Sequence, residues 1–140
     1  MGSVPGGNRD TLMPLERYIA VVNTSTPAGT AIASPVITNV SLGDVQINSI
    51  ALRIPPGHSG MTGLQVRLSG NVFVPWNQSA GWIVGDNENI IFDIGEEITT
   101  GLVIATYNLG TFTHAHLLRI DYTPMSLIDV KPPTVTVVSI

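Results

Sequence analysis

From Tyr18 onward the chain reads as short runs of apolar and β-branched residues, separated by Gly, Pro, Asn and Asp, with no apolar stripe at helical spacing. The runs are Tyr18–Asn23, Thr30–Val40 (interrupted at Pro35), Asp44–Ile54, Gly63–Val74 with a turn around Gly70-Asn71, Gly81–Val84, Asn89–Ile94, Leu102–Leu109 and Thr113–Tyr122. Leu64, Val66 and Leu68 alternate with Gln65, Arg67 and Ser69, the mark of a strand with one face inward. In Asp44–Ile54, Val45 and Ile47 oppose Gln46 and Asn48, and the pattern then turns apolar on both faces around Ile50, Ala51 and Leu52, as expected of a strand beneath a covering element. Turn signals recur about every 8–12 residues, at Pro27–Gly29, Leu42–Asp44, Pro55–Gly57, Gly70-Asn71, Gly85-Asp86, Gly95 and Gly110. With no crossover helices, this predicts an all-β protein: an antiparallel β-sandwich or jelly roll of about eight short strands, with extended N- and C-terminal arms.

Three segments follow from that reading. Residues 1–15, broken by Pro5, Gly6, Gly7 and Pro14, are expected to be an N-terminal arm that is flexible or held by a partner. Residues 16–123 form the β-sandwich domain, and 124–140 a C-terminal extension. In that extension Lys131-Pro132-Pro133 makes a stiff spacer before a β-prone tail, Thr134–Ile140, that has no charged side chain. Such a tail needs a partner strand. It is either the last edge strand of its own sandwich or a strand lent to a neighbouring subunit through Val135, Val137, Val138 and Ile140.

Composition sharpens the picture at one point. Only 11% of the residues are charged, against roughly 25% in a typical soluble domain. The mean hydropathy is +0.32. Such a surface is covered by uncharged polar side chains, by other protein, or by both, so the chain is expected to associate with itself. A net charge of −4, with a single lysine, gives no electrostatic footprint for nucleic acid. No apolar run approaches the ~20 residues that span a bilayer, and no basic stretch precedes an apolar one as in a signal peptide. The absence of cysteine rules out disulfides and thiol chemistry.

Candidate chemistry is sparse. His114-Ala115-His116 places two imidazoles on one face of a strand, roughly 7 Å apart. A metal would need a third ligand. His58, in a Pro-Pro-Gly-His-Ser-Gly turn, supplies one only if that loop folds over the same face, and no glutamate follows the pair. Ordinary packing, a cupin-like metal site, and contact with the same histidines of other copies across a symmetry axis are the three readings of the pair. Glu96-Glu97 splits to opposite faces of an extended chain and reads as a solvated turn. Asp86–Asn89 lacks the late glutamate of a calcium loop. No serine sits in a Gly-x-Ser-x-Gly elbow. No catalytic, metal-binding or cofactor-binding residue is therefore assigned, and no enzyme activity is expected. Trp76 and Trp82 bracket a polar loop, where they can cap the core, anchor a protein interface, or form a platform for a sugar.

Four stretches carry a resemblance: Ile54-Pro-Pro-Gly-His-Ser-Gly-Met-Thr-Gly-Leu-Gln-Val, Val74-Pro-Trp, Gly81-Trp-Ile-Val-Gly-Asp-Asn-Glu, and Ala105-Thr-Tyr-Asn-Leu-Gly-Thr-Phe-Thr-His-Ala-His-Leu-Leu-Arg. In texture and order of phrases, over about residues 44–122, the chain resembles small structural proteins of tailed bacteriophages. That resemblance implies a β-sandwich virion component, assembled in copies and docked on a major capsid protein or another virion protein, such as an auxiliary capsid (decoration or cementing) protein or a head- or tail-associated one. It favours a homotrimer, with a dimer next, and brings no catalytic residues with it. The alternatives are a carbohydrate- or receptor-binding module at a fibre tip and a cupin-like metal protein.

Overall fold

The computed structural model describes residues 16–75 and 81–128, so the expected arm at 1–15, Trp76, and the tail residues Val135, Val137, Val138 and Ile140 lie outside the described residues. Among the described residues there are eight strands: β1 (Tyr18–Thr26), β2 (Val36–Val40), β3 (Val45–Ile54), β4 (Thr62–Leu68), β5 (Asn71–Val74), β6 (Glu88–Ile98), β7 (Leu102–Asn108) and β8 (His114–Pro124). A four-residue helix, α1 (Met125–Ile128), follows β8. The Met125 amide donates to the Asp44 carbonyl at 2.9 Å.

The strands form two four-stranded sheets, ordered β1-β8-β3-β6 and β2-β7-β4-β5, with antiparallel neighbours throughout. First pairs with last, second with seventh, third with sixth and fourth with fifth. The chain is thus one long hairpin, its tip at Ser69-Gly70, wound so that β8 meets β3 in one sheet and β7 meets β4 in the other. This is a jelly roll. The winding sends the loops 27–35, 55–61, 75–87 (of which 75 and 81–87 are described) and 109–113 to one end, and the turns 41–44, 69–70 and 99–101 to the other.

The core lies between the sheets. Val45, Ile47, Ile50, Leu52 and Ile54 of β3, with Leu118 and Ile120 of β8, face Leu64 and Val66 of β4 and Leu102 and Ile104 of β7. Each such side chain contributes about 1.5–3 kcal/mol on leaving water. The inward set on β3 changes from odd to even numbers because the register with β8 slips between Ile47 and Ser49. Asn48 is the extra residue of that bulge. Its Nδ2 donates to Asp121 Oδ1 at 3.0 Å and to Thr123 Oγ1 at 3.1 Å, so the bulge is filled by its own side chain. The apolar stretch at Ile50-Ala51-Leu52 therefore reflects a change of phase, and among the described residues no element covers β3 from outside.

Other boundaries also differ from expectation. Glu96-Glu97 is not a turn: β6 runs on through Gly95 to Ile98, with Glu96 opposite Ile47 and Glu97 opposite Gln46. Gly95, at φ 72°, lies where the β3–β6 register shifts, so the glycine marks an irregularity within the strand. Gly81–Val84 makes a single bridge, Ile83 to Leu64, rather than a strand. Thr30 bridges Asn108, and the strand begins only after Pro35.

Candidate functional site at the loop end

Three histidines meet where the four long loops converge. The 55–61 turn curls through left-handed positions at Gly57 (φ 105°), Ser59 (φ 50°) and Gly60 (φ 74°). Asp86, on the 75–87 loop, accepts from the Gly57 amide at 2.9 Å and from the Ser59 amide at 3.0 Å. The Ser59 amide, above all, holds the Asp86 carboxyl below its ordinary range. The turn so fixed sends the His58 ring inward over β8, with Nδ1 2.6 Å from Thr62 Oγ1.

His114 and His116 share one face of β8, as their spacing predicts, and His58 folds over both. Its ring centroid lies 4.4 Å from that of His114, with the planes at 35°, and 4.8 Å from that of His116, edge to face at 73°. His116 is 1% exposed, and neither of its ring nitrogens has a hydrogen-bond partner among the described residues. Burial, followed by the neighbouring histidines, brings its pKa down to about 4. Burial also lowers that of His58, with His114 acting in the same direction. Thr24 on the adjacent strand accepts the His116 amide at 3.2 Å and holds the backbone in place.

Asn108, fully buried at the end of β7, organises the rest. Its Nδ2 donates to the Thr26 carbonyl at 2.9 Å and the Phe112 carbonyl at 2.7 Å, while Oδ1 accepts the Gly110 amide at 2.9 Å. Its own amide donates to the Thr30 carbonyl at 3.0 Å, and the Leu109 amide donates to the Met61 carbonyl at 2.9 Å. Every long loop is therefore tied to a neighbour. Between the 55–61 and 109–113 loops lies a cleft of about 260 Å³ lined by His58, Met61, Leu109, Phe112 and His114 among others. Of its lining, Met61, Leu109 and Phe112 are exposed, Phe112 at 74%; Ile32 and Val84 are exposed on the other two loops at the same end.

This arrangement is poor equipment for catalysis or metal binding. Thr62 and His58 form a hydroxyl–imidazole pair, but both are 1% exposed, and Asp86 Oδ1 faces main-chain amides. A substrate has no access to that hydroxyl. The rings pack by faces and edges, and the described residues hold no group of three His, Cys, Asp or Glu side chains arranged for a metal.

His116, proposed from the sequence as an interface residue, lies inside the subunit. His114, half-buried beside the cleft, is the member of the pair that reaches its lining. Trp82 is placed elsewhere, half-buried, with its ring edge to face with Tyr107 at 4.9 Å and the Arg67 guanidinium 6.0 Å from it. The Tyr107 ring lies across Gly63, its register partner, where a β-carbon would come within 2.2 Å of it. Gln65, expected to face solvent, is 3% exposed because its amide donates to the Gly81 carbonyl of that same segment. The organising roles of Asp86 and Asn108 and the exposed Phe112 were absent from the sequence reading. A lone Phe in a polar loop after Asn-Leu-Gly is the only local signal for the last.

No protein-family model matches the chain, and no curated protein matches it. Among solved structures, one similar chain comes from the X-ray structure of tomato aspermy virus, with 10% sequence identity, a TM-score of 0.46, and coverage of 89% of this chain and 82% of that one.

Proposed function

We propose that this protein is a non-enzymatic structural component of a virus particle, which assembles with copies of itself through the loop end of its jelly roll and docks on a larger protein lattice as a decoration or cementing protein does. One observation carries this reading: exposed large apolar side chains from all four long loops, Ile32, Met61, Val84, Leu109 and Phe112, gather at one end. Isolated apolar residues on a surface need no explanation, whereas a gathered set on a charge-poor chain marks a protein contact. Mutual hydrogen bonding of the loops presents that set as a rigid surface, which lowers the ordering cost of association. The low charge and the phrase-level resemblance to phage structural proteins support the same reading. Electron microscopy of the purified full chain tests it: oligomers of defined symmetry, joined at the loop end, are expected. Single subunits at micromolar concentration, together with selective retention on a glycan array, would favour the fibre-tip alternative instead.

A further inference from the structure

We propose that His58, His114 and His116 form an acid-sensitive latch: protonation of the cluster parts the 55–61 loop from β8 and unseals the four-loop end of the sandwich.

The packing of the rings carries the argument. His116 is buried with two unpartnered nitrogens, a state tolerable for a neutral imidazole and far costlier for a cation. His58 is equally buried and lies within 5 Å of both other rings, so a second proton places like charges side by side away from water. Little nearby can offset that charge. From the 75–87 loop, Asp86 faces His58, but its Oδ1 is already shared by two amides of the 55–61 turn. Glu88 turns to the Asp86 amide, and Arg53 of β3 is bound to Asn87. β1 contributes Thr24 and Thr26 opposite the pair, β4 contributes Thr62, and the 109–113 loop holds no ionisable side chain.

The direction of the effect follows. The folded chain holds His116 at about 4 and His58 below 6.5, so between those values the unfolded or opened chain binds more protons. Closure is favoured above pH 6.5 and weakens as pH falls through that window. The His58 ring packs against both histidines of β8, so the 55–61 turn parts from β8 there first. The latch is a property of the three rings and does not depend on what the loop end docks against.

Hydrogen–deuterium exchange of the full chain at pH 7.5, 6.0 and 4.5, corrected for intrinsic rates, reads it directly. Protection across 55–63 and 108–117 is expected to fall at least tenfold over that range, with 41–48 and 66–72 at the opposite end unchanged. His116→Leu should abolish the dependence. His114→Gln, a milder change at the cleft, should move the transition to lower pH and keeps the test decisive if the first variant does not fold. Flat protection at the loop end, equal loss at both ends, or an unmoved transition in His114→Gln overturns the latch. Zinc chloride that protects the loop end of the wild type at pH 7.5, but not of His114→Gln, would replace it with a metal centre.

Discussion

The two ends of the sandwich solve the same problem in different ways. At the far end the turns 41–44, 69–70 and 99–101 are short, and each has a glycine in the left-handed region: Gly43 at φ 78°, Gly70 at 84° and Gly101 at 79°. Backbone geometry closes that end, and its chemistry is that of tight turns. At the near end the loops are longer and are closed by side chains: Asn108 on three main-chain groups, Asp86 on two amides, and His58 across the strand. Apolar groups are left outside and titratable groups inside. An end closed by glycine turns is insensitive to solution conditions. An end closed by polar side chains can respond to them and present a shaped surface.

Breaking the near end should cost most. Asn108→Ala leaves the Thr26 and Phe112 carbonyls and the Gly110 amide without their partner, and at 1–3 kcal/mol per unmet buried group a loss of about 3 kcal/mol or more is expected. A urea midpoint that hardly moves would show that water replaces the side chain. Acidification comes next. Lowering the pH from 7 to 4 should remove up to about 3 kcal/mol through His116, since its folded pKa lies at about 4 against 6.5 unfolded. The urea midpoint of His116→Leu should show a correspondingly flatter pH dependence.

The far end offers the contrasting case. A β-carbon at Gly101 would stand 2.6 Å from the Val40 carbonyl oxygen, in a left-handed conformation, so Gly101→Ala should cost about 2 kcal/mol. That cost should be the same at pH 7 and pH 4.5, which thermal melts at the two values would check. Asp86→Asn should have the smallest effect. The carboxyl is held low in the folded state, so its contribution is present above its unfolded pKa and is lost as pH falls through the folded one. Variant and wild type should differ at pH 7 and converge in strong acid.

How much of this was legible in the sequence depends on the length scale. Alternation and turn spacing are local, and they show the fold class and six of the eight strand regions closely; β2 starts after Pro35 rather than at Thr30, β6 runs on past the expected turn at Gly95 to Ile98, and Gly81–Val84 makes only a bridge. Where the pattern depends on a partner strand it misled: the change of phase at Asn48 arises from the β8 register and cannot be distinguished locally from a doubly covered strand. The same holds for Gln65, polar yet buried, because the segment that covers it lies 16 residues away. Of the site, the His114–His116 face was readable from strand period. The approach of His58 is readable only as a condition on its loop, and Asp86, which fulfils that condition, stands in a stretch whose sequence shows only that it lacks a calcium-loop pattern. Long-range main-chain hydrogen bonds, which leave no periodic trace, account for each miss.

The apolar loop end is proposed to join copies of this chain. Light scattering on the full-length wild type and on Phe112→Asp tests it most directly, because Phe112 is 74% exposed and its removal leaves the core intact. The wild type is expected at a multiple of 14.8 kDa, and the variant at a single subunit mass with an unchanged melting temperature. A wild type that remains at one subunit mass, or a variant that keeps the wild-type mass, would contradict it.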